Sequence, residues 1–457
     1  MQFAGQRVDL DLNPIGEPHN FLITLSEDVL PDPDAILITG ITPQKTRAEG
    51  LTEAEFLKIF HTEVATPDTI FCGFNTVRFD DEFMRFLNYR NFYDAYEWQW
   101  KDGRSRWDLL DVVRMTRALR PDGIKWPFDS EGKPANRLEL LASINKLSHD
   151  NAHDALSDVG ATIDLARLIR DKQPKLFEYL LKLRDKKEVA KVVSTGQLFV
   201  YTSGKYDGQF EKTTIVSTLA NHPDKKGVFV YDLRQDPTPF LKMTPEELAA
   251  AWRWQPDPEQ LRLPVKTLLF NRCPTVAPLG VLDDASKQRL KIDMKVIQKH
   301  RGHVEAKPFV DNLLKAQKLL DKEQQARLFA DERSVDAQLY DNFIPDSDKR
   351  LFPKLHDAKP DELSAETFKF SDSRLGHLLP LYKARNFPKS LDTDERAAWE
   401  RHCSDMLMSG GENSRAVLFF KRLEEAAARS HLSDEKRFLL EELQLYGQSV
   451  LPDVYED

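Results

Sequence analysis

The sequence contains little cysteine and no long apolar run. Its three cysteines, Cys72, Cys273 and Cys403, lie far apart and form no CxxC pair. This spacing argues against a zinc site or a disulfide framework and is typical of a reducing compartment. No run of about 18 apolar residues is present, and the first residues have neither the basic start nor the apolar segment of a secretory signal. We therefore expect a cytoplasmic protein without a membrane span.

The sequence also lacks the excess of basic residues that usually marks a nucleic-acid-binding protein. Asp and Glu number 74 against 65 Lys and Arg, which gives a net charge of -9 and a pI near 5.8. Taken alone, this balance counts against a phosphate-rich partner. It does not exclude one, because a metal-dependent nuclease needs acidic residues in its site and an acidic total can hide a locally basic groove.

Length and local pattern together predict a protein of several domains. A chain of 457 residues is too long for one hydrophobic core, and a mean hydropathy of -0.51 is typical of a globular protein. Strand-like and helix-like patterns alternate in the first part, which indicates an α/β domain; short β-rich runs dominate the middle, and helices dominate the last part. We place the domains at residues 1–172, 173–329 and 330–457.

The first domain contains several strand and helix signals. Apolar residues alternate over residues 8–12 and recur at 21–25 after a turn signal, which predicts a hairpin. Residues 69–74 (TIFCGF) form a short apolar run typical of a buried strand. The acidic turn at Asp80 predicts the start of a helix directly after that strand.

A histidine and two aspartates carry the strongest chemical signal. His153 precedes a helix predicted from Ala155, and Asp158 follows in the first turns of that helix. An aspartate on the helix can hold a metal ion, while a histidine before it can take a proton from the water that the metal activates. Asp80 follows a predicted strand, and strand ends are where the sites of α/β proteins assemble. Such a pattern can serve metal-dependent phosphodiester hydrolysis.

Each of these residues also has an ordinary structural interpretation. A histidine before a helix is usually a capping or surface residue, and an aspartate at a helix start is usually an N-cap. The combination carries more weight than either feature. The spacing alone still leaves the structural and the catalytic interpretation open.

Six sequence blocks resemble the exonuclease I branch of the DEDDh exonucleases. They are residues 35–44, 73–82, 89–94, 105–112, 151–155 and 335–340. The resemblance implies an α/β, RNase H-like exonuclease domain followed by an SH3-like domain and a C-terminal helical domain, which together wrap a channel for single-stranded DNA. It also implies 3′-to-5′ hydrolysis to 5′-mononucleotides with two Mg²⁺ ions, in DNA repair and recombination.

The resemblance assigns roles to the three residues found above. It makes Asp80 and Asp158 the second and third acidic ligands of the metal site, and His153 the general base. All three lie at positions that match the family's motifs.

The family's first motif, an Asp-x-Glu on the first strand, has no counterpart in the sequence. Residues 2–4 resemble the beginning of the family's second strand, so we expect the segment with the first strand to be absent. A start codon placed too late, or a fragment, is the explanation we favour, and we expect this exact chain to cut weakly. Asp9 and Asp11 fall within the second strand and are interpreted as a solvated strand end.

The resemblance also marks a path for DNA. Single strands are held by bases that stack on aromatic rings and by cations along the backbone. Arg137 matches a contact with the terminal nucleotide. The other implied channel residues are Arg85, Tyr96, Trp100, Arg114, Lys266, Asn271, Tyr340 and Phe343. Taken singly, a tryptophan such as Trp98 or Trp100 is more often a core residue.

The family also binds the acidic C-terminal tail of single-stranded-DNA-binding protein (SSB). Arg120 and Tyr179 match positions of its basic and apolar pocket. Residues 278–284 (PLGVLDD) are acidic and lack the basic residues expected there, which argues against a full contact. We expect the protein to be a monomer with no partner other than DNA and SSB.

Two other functions stay open at this point. A related 3′ exoribonuclease would share the nuclease residues, but such enzymes are commonly short single-domain chains, and the match in the last domain argues against one. A non-catalytic module that binds single-stranded DNA or SSB would account for the missing Asp-x-Glu motif. An in-frame Asp-x-Glu strand encoded upstream of Met1 would favour the enzyme, and a stop codon there would favour the module.

Overall fold

The structure, a computed structural model, describes most of the chain. The described residues are 1–147, 155–194, 196–253, 257, 260–330 and 333–451; for residues 327–330 only the backbone is described. His153, the predicted general base, lies outside these ranges.

The first part of the chain contains two small sheets. Their strands are β1 (Gln2–Gly5), β2 (His19–Leu22), β3 (Ile70–Gly73) and β4 (Ser105–Asp108). β1 and β2 are antiparallel, while β3 and β4 are parallel. Within the described residues no strand ladder joins one pair to the other. The prediction of a strand between residues 69 and 74 is confirmed by β3.

One aromatic ring connects the two sheets. The ring of Phe60 lies 5.9 Å from that of Phe3 in β1 and 5.9 Å from that of Phe71 in β3. Phe60 is 1% exposed and belongs to a core that also contains Phe56 and Trp98. Both sheets therefore pack over the same helical layer.

Helices α1 to α7 complete this part. They span Pro33–Thr39 (α1), Pro43–Glu49 (α2), Glu53–Ile59 (α3), Asp80–Arg90 (α4), Leu109–Leu119 (α5), Leu138–Asn145 (α6) and Ala155–Lys172 (α7). Local capping sets several of the starts: the Thr52 hydroxyl accepts from the N–H of Glu55 in a capping box, for example. The helices predicted at Asp80 and Ala155 are confirmed by α4 and α7.

The predicted first hairpin forms, but its first strand lies earlier than expected. Residues 8–12 were predicted as the strand, whereas β1 ends at Gly5 and Val8 makes only an isolated bridge to Pro14. Leu10 is 82% exposed and Leu12 has a φ of 63°, so this segment is a turn. The pairing follows the aromatic anchor: Phe3 of β1 packs against Phe56, whereas Leu10 is exposed and Leu12 packs, partly buried, against a separate core that contains Leu165 and Ile169.

The middle part is built on an antiparallel sheet of five strands. These are β5 (Leu198–Thr202), β6 (Thr213–Asn221), β7 (Gly227–Asp232), β8 (Val265–Leu269) and β9 (Thr275–Pro278), in the order β8-β7-β6-β5-β9. The surrounding helices are α8 (Pro174–Lys182), α9 (Lys186–Val192), α10 (Pro245–Trp252), α11 (Asp284–Arg289), α12 (Met294–Val304) and α13 (Lys307–Ala330). All residues of β7 are buried, which shows that both faces of the sheet are covered.

The last part is helical, as predicted. Its helices are α14 (Asp346–Lys349), α15 (Phe352–Asp357), α16 (Ser373–Asn386), α17 (Thr393–Met408), α18 (Arg415–Ala427) and α19 (Asp434–Val450). Leu375, Leu378 and Tyr382 of α16 share a core with Tyr89 and Phe92 at the end of α4. The helix that begins at Asp80 is therefore covered by the last domain. No helix among the described residues is long and apolar enough to cross a membrane.

Candidate active site and nucleic-acid interface

Asp80 is the first residue of α4, close behind the end of β3. Burial raises the pKa of its carboxyl group above the ordinary value, and the nearby charge of Asp108 raises it further. Asp80 is exposed to solvent, so a cation can reach its carboxylate, and a positive charge there would offset both causes of the raised pKa. The structure thus places the sequence-predicted Asp80 where a site can form.

Asp108 organises the loop in front of Asp80. It ends β4, and its carboxylate accepts hydrogen bonds from the backbone N–H groups of Asn75 at 2.9 Å, Val77 at 3.1 Å and Leu110 at 3.0 Å. The last of these caps α5, while the first two tie the loop after β3 to the end of β4. Sequence reasoning missed this residue, although an aspartate at a strand end before an apolar helix is an N-cap signal.

Asp158 lies in the first turn of α7, and its carbonyl accepts from the Thr162 hydroxyl at 2.8 Å. His153 lies outside the described residues. Among the residues that the structure describes, no three His, Cys, Asp or Glu side chains are grouped closely enough to hold a metal ion. The described residues therefore do not make up a metal site by themselves. Asp9 accepts from the N–H and side chain of Asn13, and Asp11 is solvated, as predicted.

A pair of arginines shares one carboxylate next to this site. Asp111 of α5 pairs with Arg78 at 3.3 Å and with Arg114 at 2.6 Å. Gly204, from the middle domain, lies against both: a Cβ there would be 2.6 Å from Nη1 of Arg78 and 2.7 Å from Nη1 of Arg114. Two cations and one anion leave an excess positive charge between the first and middle domains.

The residues predicted near Tyr96 divide into core and surface. Arg85 is buried, and its guanidinium lies 5.7 Å from the centre of the Tyr96 ring. Trp98 is 3% exposed and donates from its ring N–H to the carbonyl of Ala95, so it belongs to the core. Trp100, two residues later, is 62% exposed and available for a base to stack on.

The middle domain presents Lys266 and Asn271. Lys266 lies in β8 with its Nζ 3.2 Å from the centre of the buried Tyr206 ring. Burial lowers the pKa of Lys266 to about 7; the positive charges of Lys205, Arg262 and Lys212 lower it as well, and Asp232 acts in the opposite direction. Asn271 is exposed in the loop after β8, and its carbonyl accepts from Nη2 of Arg106 at 2.6 Å.

The remaining predicted DNA residues are exposed. Tyr340 is 50% and Phe343 92% exposed, and both belong to the segment before α14. Arg137 is exposed at the residue that precedes α6. Exposed aromatic rings are costly in water, so these positions are consistent with stacking surfaces.

The residues predicted to contact SSB lie near the boundary of the first and middle domains. Arg120 pairs with Asp283 at 3.3 Å and donates to the carbonyl of Val281 at 2.9 Å. The Tyr179 hydroxyl donates to the carbonyl of Val276 at 3.1 Å. The acidic segment 278–284 noted in the sequence therefore folds onto Arg120 and neutralises part of its charge.

Comparisons with known proteins agree along the whole chain. Three family models match in succession: "Exonuclease" over residues 1–166, "Exonuclease I SH3-like domain" over 184–328 and "Exonuclease I C-terminal domain" over 333–450. The expected fold class, an RNase H-like exonuclease domain followed by an SH3-like and a helical domain, is thereby confirmed.

Individual relatives extend this agreement. The chain is 38% identical to exodeoxyribonuclease I of Haemophilus influenzae over 98% of its length and 94% of that protein. It superimposes on a moderately thermophilic exonuclease I from Methylocaldum szegediense with a TM-score of 0.91 at 39% identity, covering 99% of this chain and 95% of that one. Exonuclease I of E. coli bound to a dA16 oligonucleotide matches with a TM-score of 0.89 at 35% identity, covering 98% and 95% of the two chains. The chain belongs to the exodeoxyribonuclease I family.

Proposed function

We propose that this chain is a 3′-to-5′ exonuclease that hydrolyses single-stranded DNA to 5′-mononucleotides in DNA repair and recombination, in the cytoplasm. The observation that carries the proposal is the position of Asp80. This exposed acid starts the helix that also carries Arg85, whose guanidinium lies beside the Tyr96 ring. A candidate metal ligand and the cation of a cation–aromatic pair on one helix would bring phosphodiester chemistry and strand binding together.

The metal-binding part of the proposal uses two described residues. Asp80 and Asp158 would hold divalent cations, with Mg²⁺ as the expected ion because hard carboxylate oxygens are its usual ligands. Bound there, such ions would activate water and stabilise the charge of the leaving oxygen. The described side chains do not complete this site, so further acidic ligands are required. His153 is proposed as the base that takes the proton of the attacking water.

The DNA-binding part of the proposal follows the aromatic and basic residues of the predicted channel. Trp100, Tyr340 and Phe343 offer ring faces for stacking. Arg85, Arg114, Lys266 and the exposed Asn271 and Arg137 offer charge or hydrogen bonds to phosphates and bases. Support also comes from the E. coli relative, whose structure was solved with a bound oligonucleotide.

SSB is the proposed protein partner. A relative was solved as "SSB/Exonuclease I in complex with inhibitor CFAM". Arg120 and Tyr179 are the proposed contact residues in this chain, which acts as a monomer. Because Asp283 pairs with Arg120, an acidic tail must displace or share that pair, and we expect the contact to be weak.

The test is hydrolysis of a 5′-labelled single-stranded oligonucleotide with Mg²⁺ and with a chelator. His153→Ala is expected to lower turnover by about 10²- to 10⁴-fold, as general-base loss does, with DNA affinity little changed. Asp80→Asn should remove Mg²⁺-dependent cleavage. Near-normal turnover in both folded variants would exclude these roles.

A second candidate function is a non-catalytic DNA- or SSB-binding module. The sequence leaves it open, because the family's Asp-x-Glu motif has no counterpart in it. The same assay distinguishes the two functions, since a module would bind the oligonucleotide and leave its length unchanged with or without Mg²⁺.

A further inference from the structure

Glu82, in the first turn of α4, contacts side chains from all three parts of the chain. Its carboxylate accepts from Nη1 of Arg85 on the same helix and from the Tyr340 hydroxyl of the last domain. Nη2 of Arg272, in the loop after β8 of the middle domain, lies 3.5 Å from Oε1. A residue that is two positions from Asp80 in sequence thus joins elements more than 180 and 250 residues away along the chain.

A second set of contacts fastens the same loop. Arg106 of β4 forms an ion pair with Asp81 and donates to the carbonyl of Asn271 at 2.6 Å. The Cys273 thiol donates to the carbonyl of Arg106 at 3.2 Å. Residues 271–273 are therefore held on both sides of Arg272 by Arg106 of β4, which also pairs with Asp81 at the start of α4. These contacts fix the position of the loop, and the contact with Glu82 sets the direction of the Arg272 guanidinium.

An acid in the first turn of a helix has an ordinary explanation. It interacts favourably with the helix dipole and needs no other role. That explanation covers Asp80 and Asp81 equally and predicts no partners from distant domains. It does not account for the convergence of Arg272 and Tyr340 on Glu82.

The surroundings of Glu82 also make its charge unusual. Tyr340, Arg85 and Asn271, the neighbour of Arg272, are proposed DNA contacts, and a bare carboxylate among them would repel phosphates. With Arg85 and Arg272 beside it, the cluster keeps a net positive charge. The negative charge of Glu82 therefore favours DNA binding only if it orders the side chains around it.

We propose that Glu82 is a positioning residue that orients the Arg272 guanidinium and the Tyr340 side chain against α4, so that the groups contributed by the three domains keep the DNA strand bound between successive cleavages. The inference rests on the proposed function through the DNA-contacting roles of Arg85, Asn271 and Tyr340. Glu82 does not touch the reacting atoms in this proposal. Its loss is expected to change how long DNA stays bound, and to change the cleavage step little.

Electrostatics alone makes the opposite prediction. Glu82→Ala and Glu82→Gln remove a negative charge from a DNA-binding surface, which should tighten binding and increase its salt dependence. The positioning role predicts faster release. The sign of the change therefore separates the two explanations.

The experiment measures release of a labelled single-stranded oligonucleotide in chelator with excess unlabelled trap, and products per binding event with Mg²⁺ and the same trap. For both Glu82 variants, release is expected to be about tenfold faster, since a lost charged hydrogen bond corresponds to roughly such a factor. The initial cleavage rate of pre-bound DNA should stay within about twofold of wild type. Circular dichroism and thermal melting first establish that the variants are folded.

Two control variants match Glu82 in separate ways. Glu97→Gln removes the same charge from an exposed pair with Lys101, and Arg422→Ala breaks an exposed pair with Asp32 that joins the first and last domains. Neither should accelerate release. Tyr340→Phe, which keeps the ring, should accelerate release by itself and add little to Glu82→Ala, because both changes remove the hydrogen bond between these two side chains.

The outcomes are decisive in either direction. Faster release confined to Glu82 and its partners supports the inference, whereas unchanged or slower release in a folded Glu82→Ala protein overturns it. Equal acceleration in Arg422→Ala also overturns it, because any loosened domain contact would then suffice. If the wild-type chain binds DNA but does not cut it, the proposed catalytic function is wrong. The release assay in chelator still tests the positioning role of Glu82 in that case. A wild-type chain that does not bind single-stranded DNA overturns both.

Discussion

The ammonium group of Lys266, a residue of β8 in the middle domain, lies 3.2 Å from the centre of the Tyr206 ring. Tyr206 is 6% exposed, and its hydroxyl has no hydrogen-bond partner among the described residues. Burial lowers the pKa of Lys266 to about 7, and the positive charges of Lys205, Arg262 and Lys212 contribute to the lowering. Lys266 is thus a cation whose charge changes in the neutral pH range.

This relationship predicts a pH dependence of DNA binding. A lowered pKa means that Lys266 is charged below about pH 7 and loses its proton as the pH rises. Affinity for single-stranded DNA should therefore fall between pH 6 and pH 8, and the slope of log K against log salt should shrink by about 0.7. Fluorescence anisotropy with a labelled oligonucleotide measures both. Lys266→Met should be insensitive over this range, and an equal pH response in that variant would assign the effect to another group.

Trp98 and Trp100 are expected to respond to the same substitution in different ways. Trp100→Ala should weaken single-strand binding by about 1 to 3 kcal/mol, the usual contribution of base stacking, with little change in stability. Trp98→Ala should lower the free energy of unfolding by about 3 to 5 kcal/mol, because it empties a core position. Urea unfolding and DNA titration of the two variants check this. Unchanged affinity in a folded Trp100→Ala protein would contradict the stacking role.

Asp108 is expected to be a structural support of the site. Asp108→Ala leaves the backbone N–H groups of Asn75, Val77 and Leu110 without their acceptor. A loss of stability of about 1 to 3 kcal/mol per buried unsatisfied group is the usual magnitude. Turnover should fall as well, because the loop in front of Asp80 loses its anchor. Asp108→Asn, which keeps one acceptor oxygen, should retain more stability than Asp108→Ala; equal losses would argue against the hydrogen-bond explanation.

The sheets predict the effect of an added strand. Among the described residues β1 pairs only with β2 and β3 only with β4, which leaves one edge of each available. A strand with an Asp-x-Glu motif fused before Met1 should pair there and supply carboxylates to the site. Mg²⁺-dependent release of mononucleotides and thermal stability should then both be higher than in the chain without the added strand. Equal activity of the two proteins would mean that other acids, with Asp9 and Asp11 as first suspects, supply the ligands.

Much of the local structure could be predicted because its causes lie within a few residues. The apolar run at β3 and the acidic turn at Asp80 identified a strand and a helix. The hairpin of β1 and β2 was predicted in kind and misplaced in position, since an alternating pattern over residues 8–12 does not reveal whether a core faces it. Phe3 decided that pairing through Phe56, which is far away in sequence.

The sequence by itself determined the element types, the division into an α/β, a β-rich and a helical part, and, through its six blocks, the family resemblance. Only the tertiary structure decided that Trp98 is core while Trp100 is exposed, that Asp108 holds the loop before Asp80, and that Arg272 and Tyr340 meet at Glu82. Element type follows from contacts between near neighbours, which the order of residues states directly. Burial and partner choice follow from packing between distant segments, which depends on how all the elements fit together at once.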